Sequence, residues 1–282
     1  MTNSKDHNSN QGRRTISDVL APVIEHLELE ADTLVTLEDL IALRPDVPES
    51  TIRGMASELV QRGWLRPLKA KGAYEFIPGA AAGPYPSGDP WLELRAALKL
   101  SPGMKAHVGL ASAAWILGYR ERSPGRQVVF ATRDPKPPPS LSQTYDLVKT
   151  ARNRMFGSND IRGVPVASIE RIYLEAAWRT DKLDVRTDVR WISRLISNAD
   201  PQVVVEYLEL LSIKSVWARA GYLAEIIGNP ETAEQIRVRS PISGGPYYFG
   251  NTKRTDYFVV KWNLYDNMGL WRMREEISGD DK

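Results

Sequence analysis

The sequence predicts a mixed α/β protein in which a small module of helices and one hairpin precedes a larger α/β domain. Three observations support this prediction. The chain has 282 residues, more than one average domain holds. Helical and strand-like hydrophobic periods both recur along it. The stretch GAAAGPYPSGDP has the composition of a linker, so we predict an arm at 1–14, a first domain at 15–78, a linker at 79–90 and a second domain at 91–282.

Composition excludes several classes of protein. The net charge is +2, so a nucleic-acid partner has to be signalled locally rather than by the whole chain. There is no cysteine, which excludes disulfides and cysteine-ligated metals. The first ten residues are polar and lack the apolar core of a targeting segment. Since no apolar run approaches the roughly 20 residues of a membrane span, we expect a cytoplasmic protein with no membrane partner.

Helices occupy most of the N-terminal module. Apolar residues from Ile16 to Leu27 recur at helical spacing, and Thr36 to Ile41 marks a second, shorter helix. A third helix follows Pro48 and ends at Gly63. Either Ser50 or a capping box from Asp46 to Glu49 begins it, and the sequence leaves both options open. One face of this helix is apolar, through Ile52, Met55, Ala56, Leu59 and Val60.

The opposite face of the third helix is polar and short-chained. A helix face that only meets solvent more often carries pairs of Glu and Lys. Short side chains and a glycine allow a helix backbone to approach the wall of a DNA groove closely. Arg53 is the candidate for contact with a base edge, with guanine as the expected base. The residues predicted to face DNA are Ser50, Thr51, Arg53, Gly54, Ser57 and Gln61.

A basic hairpin follows this helix. Its first strand begins at Trp64, and its second strand returns through Tyr74 and Phe76. Three helices followed by such a hairpin are the arrangement of a winged helix-turn-helix. From Arg53 to Lys71, five Lys or Arg stand against Glu58 alone. Cations placed here would contact phosphate and make binding to double-stranded DNA salt-dependent. The predicted phosphate contacts are Arg62, Arg66, Lys69 and Lys71, with Arg13 and Arg14 on the N-terminal arm.

An alternative to DNA binding stays open for this module. Winged helices also serve as protein-docking modules, and basic turns are often only solvated. The arm arginines are also compatible with a solvated tail.

The second domain alternates short strands and helices. RQVVFAT and Val164–Val166 are predicted strands, and Ser168 is predicted to cap a helix from Ile169 to Trp178. Further helices are predicted around 189–196, 203–211 and 217–227. The tail carries two aromatic strand-like runs, YYF and DYFVVKW, joined by a polar turn.

The motifs in both parts resemble a known family. STIRGMASELVQRGWLRPLKAKGAYEFIP resembles the N-terminal winged helix of AbiEi-type antitoxins. RMFGSNDIRGVPVASIERIYLEAAW and ARAGYLAEIIG resemble two segments of the second domain of that family, so the resemblance extends from about Thr15 to Gly228. Ala220 stands where the family often has Leu, and the aromatic tail after Ser240 has no recognised counterpart.

The resemblance implies a protein with two tasks. Its winged helix would bind inverted repeats in its own promoter and repress the operon. Its C-terminal domain would counteract a cognate nucleotidyltransferase-like toxin, by contact, by modification or without a stable complex. A docking module that neutralises a partner directly, and a toxin-modifying enzyme, are the alternatives.

Signals for enzyme chemistry are weak. His7, His26 and His107 are far apart, and no pair has the spacing of metal ligands. Glu170 and Arg171 are expected to form an exposed pair at the start of a helix. No phosphate-binding loop or nucleophile motif is present. We therefore predict no catalytic residue, no metal site, no cofactor and no enzymatic activity.

Overall fold

The computed structural model describes residues 16–30, 33–81, 88–227, 229–251 and 257–273, with backbone only at 185, 186 and 273. The chain folds as two compact units. The first extends as far as Pro102 and includes Pro138–Ser140, and the second comprises Gly103–Pro137 and Leu141–Lys282. The mixed α/β class is as predicted, whereas the boundary between the units follows Pro102 and does not fall within 79–90.

In its described residues, the first unit has four α-helices and a three-stranded antiparallel sheet. In the sheet, the strand before the second helix pairs with the returning strand of the hairpin. The helices are α1 (Ala21–Glu30), α2 (Leu37–Leu43), α3 (Glu49–Gln61) and α4 (Leu92–Leu100), and the strands are β1 (Leu34–Thr36), β2 (Leu65–Pro67) and β3 (Ala73–Phe76). Their apolar faces form one core under α1, α2 and α3.

Local signals explain where the helices of this unit begin. A capping box begins α2, because the Thr36 hydroxyl accepts from the Asp39 amide at 3.3 Å and the Asp39 carboxylate accepts from the Thr36 amide at 2.7 Å. Helix α3 begins after Pro48 without a side-chain cap, so neither of the two predicted caps forms. Gly63, with φ of 76°, follows α3 and turns the chain into the hairpin.

Helix α4 explains the position of the boundary between the units. Leu92 and Ala96 of α4 are buried against Leu34, Ala70 and Ala73 of the sheet and hairpin. The sequence placed this helix in the second domain because a Gly/Pro-rich stretch precedes it. Its apolar face is nevertheless buried by the first unit.

A five-stranded mixed sheet forms the centre of the second unit. Its order is β6-β5-β4-β8-β7. Strand β4 is antiparallel to β5 and parallel to β8, whereas β5 and β6 are parallel. The strands are β4 (Ala106–Val108), β5 (Val128–Thr132), β6 (Asp146–Thr150), β7 (Ser158–Ile161) and β8 (Val164–Ala167).

Helix α7 lies at the core of the helical layer of this unit. It is buried from Arg171 to Ala177, and the predicted cap is confirmed, because the Ser168 hydroxyl accepts from the Arg171 amide at 3.3 Å. The helices of this part of the chain are α5 (Leu110–Ile116), α6 (Pro139–Thr144), α7 (Ile169–Trp178), α8 (Val185–Ser197), α9 (Pro201–Leu211), α10 (Lys214–Ile226) and α11 (Pro230–Arg239).

The aromatic tail forms a third small sheet with the order β10-β11-β9. Its strands are β9 (Tyr247–Phe249), β10 (Phe258–Val259) and β11 (Leu264–Asp266). The two aromatic runs are β9 and β10, and they do not pair with each other. Strand β11 lies between them, parallel to β9 and antiparallel to β10. Leu264 of β11 and Phe249 of β9 are both fully buried.

Candidate functional site

The predicted recognition helix has two distinct faces. The apolar residues Ile52, Met55, Ala56 and Leu59 are buried. All six residues predicted to face DNA are exposed to solvent: Ser50, Thr51, Arg53, Gly54, Ser57 and Gln61. A Cβ added at Gly54 would have no neighbour within 4 Å, so the glycine lies on an open surface.

Arg53 is held by a carboxylate of its own helix. Its Nε and Nη2 donate to Oε1 of Glu49 at 3.0 Å and 2.5 Å. Both side chains are more than half exposed, at 59% and 56%. Because exposed ion pairs of this kind contribute about 1 kcal/mol or less, a base or a phosphate can displace Glu49 at small cost.

Two of the four predicted phosphate contacts on the hairpin side already have carboxylate partners. Arg62 Nε donates to Oε1 of Glu58 at 2.9 Å. Arg66 forms an ion pair with Glu75, whose side chain is only 1% exposed. Arg66 therefore neutralises a buried carboxylate within the hairpin. Arg13 and Arg14 lie outside the described residues.

The hairpin tip is fixed by helix α4. The backbone amides of Lys69 and Ala70 donate to the Glu93 carboxylate at 2.5 Å and 3.1 Å. Gly72, with φ of 83°, completes the turn. The side chains of Lys69 and Lys71 are exposed on this fixed tip. Glu93 could not be predicted from the sequence, because no local pattern links a carboxylate to a turn so far away along the chain.

A buried charged cluster lies in the second unit. His107 on β4 and Arg171 and Glu175 on α7 are at most 1% exposed. Oε1 of Glu175 lies 2.6 Å from His107 Nε2 and accepts from Arg171 Nε at 2.9 Å. Oε2 accepts from the backbone amide of Leu110 at 2.9 Å. One carboxylate therefore joins the first sheet strand, the start of α5 and the central helix.

The charges of this cluster stabilise one another. Burial acts to raise the pKa of Glu175, but His107, Arg171 and the Leu110 amide together hold that pKa below its ordinary value. The Arg171 guanidinium lies 4.7 Å from the Phe156 ring centroid and 5.7 Å from that of Trp178. Its two Nη atoms have no hydrogen-bond partner among the described residues.

Glu170 and Arg171 were predicted to form an exposed pair at the start of α7, and this prediction is wrong for Arg171, which is fully buried. A helix that is buried on all sides has no solvent face, so an arginine in its first turn enters the core. Glu170 is half-buried and accepts from the Ser168 hydroxyl at 3.0 Å. The sequence does carry one signal for this cluster: Arg171 and Glu175 are four residues apart in a helix whose only other charged residue is Glu170.

Neither a metal site nor a membrane-spanning helix is found among the described residues. In the described ranges, no group of three or more His, Asp or Glu side chains is placed to hold a metal ion. Within the same ranges, no helix combines the length and the apolar character that crossing a membrane requires.

Residues 106–226 match the family model described as the AbiEi antitoxin C-terminal domain. Residues 106–226 are therefore similar to an AbiEi antitoxin C-terminal domain, which confirms the resemblance of the motifs in the second domain to the AbiEi-type antitoxin family. The solved structure of the RV2827C protein from Mycobacterium tuberculosis is similar to the chain, with a TM-score of 0.74 and 24% identity. That similarity covers 94% of this chain and 96% of the other, and at this identity it establishes a shared fold. No curated protein matches the chain.

The antitoxin match contains the buried cluster. His107 lies at its beginning, and Arg171 and Glu175 lie within it. The match ends with α10, so the first unit and the aromatic tail lie outside it.

Proposed function

We propose that this protein is an antitoxin that also binds duplex DNA and represses its own operon. The first unit is a winged helix-turn-helix in this proposal, with α3 as the recognition helix and the β2–β3 hairpin as the wing. It binds inverted repeats in its own promoter. The protein acts in the cytoplasm as a regulator and not as an enzyme.

One observation carries the DNA-binding half of the proposal. The solvent face of α3 presents Arg53 together with the short side chains of Ser50 and Ser57 and an open Gly54. The exposed Lys69 and Lys71 lie on a fixed hairpin tip beyond its end. A long-chained face would keep the helix away from a groove. This surface supports close approach of the helix, with phosphate contacts at the tip.

The antitoxin half is supported by the family match over the second unit. The partner that the family resemblance implies is a nucleotidyltransferase-like toxin. In this proposal the second unit counteracts that toxin, and the first unit sets the amount of both proteins through repression.

Replacing Arg53 with alanine is expected to weaken operator binding by about 1–3 kcal/mol, because one contact to a base edge is lost. Fluorescence anisotropy measures this on a duplex from just upstream of the gene and on a scrambled duplex. The loss is expected on the upstream duplex only. Lys71→Ala is the matched comparison, since loss of a phosphate contact reduces the salt slope by about one unit on both duplexes.

Equal weak binding of the wild type to both duplexes would contradict the repressor proposal. If the protein then co-purified with the product of the neighbouring gene, the first unit would be a docking module. If Arg53→Ala and Lys71→Ala bound both duplexes as the wild type does, the assignment of α3 and the hairpin would be wrong.

Gly54→Ala is expected to separate stability from DNA binding. Alanine at an exposed helix position stabilises by about 0.5–1 kcal/mol relative to glycine, and here it meets no neighbour. The variant should therefore unfold at a higher urea concentration and yet bind the upstream duplex more weakly, because its methyl group separates α3 from the groove. Stronger operator binding would indicate that α3 does not approach a groove at this point.

A further inference from the structure

A cavity of about 320 Å³ opens on the first unit, and it is lined by residues other than those predicted to face DNA. Its walls come from α1, β1, α2 and α4, and its floor is apolar, with Leu27, Leu34 and Val35 all buried. Small-molecule sites have volumes of about 300–1,000 Å³, so this one suits a small ligand. We call it the α1–α4 cavity. The polar residues of its rim are His26, Glu30, Asp39 and Lys99.

The negative end of α1 borders the α1–α4 cavity. Helix α1 ends at Glu30, and the C-terminus of a helix carries a partial negative charge that Lys or Arg in the last turn would balance. The last turn of α1 has no basic residue and contains Glu28 and Glu30 instead. Glu28 accepts from the backbone amide of Gly79 at 2.7 Å. The Glu30 carboxylate has no hydrogen bond or ion pair to the described residues, so no cation balances this helix end.

A second carboxylate on the rim belongs to Asp39. It accepts from the Thr36 amide at 2.7 Å, as part of the capping box, and from Lys99 Nζ at 2.7 Å. The side chains of Lys99 and Asp39 are 42% and 36% exposed, so another cation can replace this weak ion pair at small cost. The rim therefore presents two carboxylates against one ammonium group.

These features fit an organic cation with an apolar body better than a metal ion. A metal ion needs several ligand atoms that converge on one point, and among the described residues no group of three or more His, Asp or Glu is placed in that way. An ammonium group needs only a carboxylate and one or two further acceptors. Glu30 and His26, one turn apart on α1, can supply them. The apolar floor then covers the rest of the ligand.

We propose that the α1–α4 cavity binds a small amine and that this amine is an effector of operator binding. Its ammonium group lies at Glu30, and its apolar part lies against Leu27, Leu34 and Val35. The binding site is independent of the function proposed above, whereas the regulatory role rests on that function.

The position of the cavity connects the amine to the surface proposed to bind DNA. Helix α2 packs against α3 in the core of the first unit, and Glu93 of α4 fixes the hairpin tip. At the cavity, the ion pair between Asp39 and Lys99 joins α2 to α4. A bound ammonium group competes with Lys99 for Asp39 and so loosens the connection between these two helices. We therefore expect the amine to weaken operator binding.

The binding test uses the full-length, isotope-labelled protein and probes of similar shape but different charge. Phenethylamine is a cation, phenethyl alcohol is neutral and phenylacetate is an anion. An NMR titration follows the amide signals of the cavity residues. Phenethylamine is expected to bind about tenfold more tightly than the other two, because only an ammonium group forms a charge-assisted hydrogen bond to a carboxylate. Nα-acetyl-lysinamide presents the same group on a lysine side chain, and tighter binding of that probe would overturn the assignment to a free amine.

Glu30→Gln is expected to weaken phenethylamine binding by about tenfold and to leave phenethyl alcohol binding unchanged, because only the charge on the rim is lost. Glu25→Gln is the matched control. It makes the same change at an exposed position of α1 that does not line the cavity, and it should bind every probe as the wild type does. Equal affinities of the wild type for the three probes would overturn the proposed site. So would equal effects of the two variants, or cavity signals that do not shift.

The regulatory role is tested by anisotropy on the upstream duplex, with saturating phenethylamine hydrochloride or with the same concentration of sodium chloride. We expect the amine to weaken operator binding by about two- to fivefold, because it displaces one exposed ion pair. Lys99→Ala lacks that pair, so its operator affinity should not respond to the amine. An unchanged affinity in the wild type, or an equal loss in Lys99→Ala, would overturn this role. Failure of the wild type to distinguish the upstream duplex from a scrambled one would contradict the repressor proposal alone, since the NMR test involves no DNA.

Discussion

Replacing Glu175 with glutamine is expected to destabilise the second unit by about 3–5 kcal/mol, because the change leaves the buried Arg171 charge without its carboxylate. Glu175 is fully buried and accepts hydrogen bonds from two other elements of the unit. An amide in its place keeps the shape but cannot accept with both of its terminal atoms. Urea unfolding followed by circular dichroism measures the change.

Glu170→Gln is the matched control for this experiment. It makes the same chemical change on the same helix, at a half-buried site whose carboxylate accepts from the Ser168 hydroxyl and the Asp200 amide. We expect it to cost about 1 kcal/mol or less. Equal unfolding midpoints for Glu175→Gln and the wild type would show that the cluster does not stabilise the unit.

The stabilisation that Glu175 provides is expected to decrease at acid pH. The pKa of Glu175 is lower in the folded chain than its ordinary value of 4.5. Its contribution to stability is therefore fully present above about pH 4.5 and is lost as the pH falls from there towards the lowered pKa. The difference between the wild type and Glu175→Gln should narrow over that acid range and stay constant above it.

Local patterns in the sequence were sufficient to predict part of the candidate site. Helical periodicity placed the six solvent-facing residues of α3 correctly, because one helix with one buried face is a local pattern. The family was recognised from the order of short motifs, each of which lies within one or two elements. Neither inference requires knowledge of which distant segments meet.

Contacts between distant segments account for what the sequence did not predict. Glu93 fixes the hairpin tip from a helix that follows a linker-like stretch, so this contact was not predicted and the helix was assigned to the second domain. Glu175 meets His107 across 68 positions of the chain.

Gly221→Val is expected to destabilise the second unit by about 1–3 kcal/mol or more, through a clash within its core. A Cβ at this position of α10 would overlap the ring of Trp262. Trp262 is fully buried, and its Nε1 donates to the carboxylate of Glu225, one turn further along α10, at 2.9 Å, so the ring is held against this helix. Urea unfolding and near-ultraviolet circular dichroism would follow the change.

Gly125→Ala is the control, because a Cβ there has no neighbour within 4 Å. Trp262→Leu should be destabilising by itself, since it leaves a cavity. The double variant Gly221→Val/Trp262→Leu should then be more stable than the sum of the two changes predicts, because the valine occupies space that the ring has left.

The coupling energy between the changes at Gly221 and Trp262 tests whether the aromatic tail is a structural part of the antitoxin domain. The family match ends at Ile226, on the helix that carries Gly221, whereas Trp262 lies beyond it. Strict additivity of the two changes would make the tail an independent appendage that the unit does not need. Coupling of about 0.5–3 kcal/mol would instead make it a structural part of this antitoxin. Truncation after Ile226 would then be expected to unfold the domain that the match identifies.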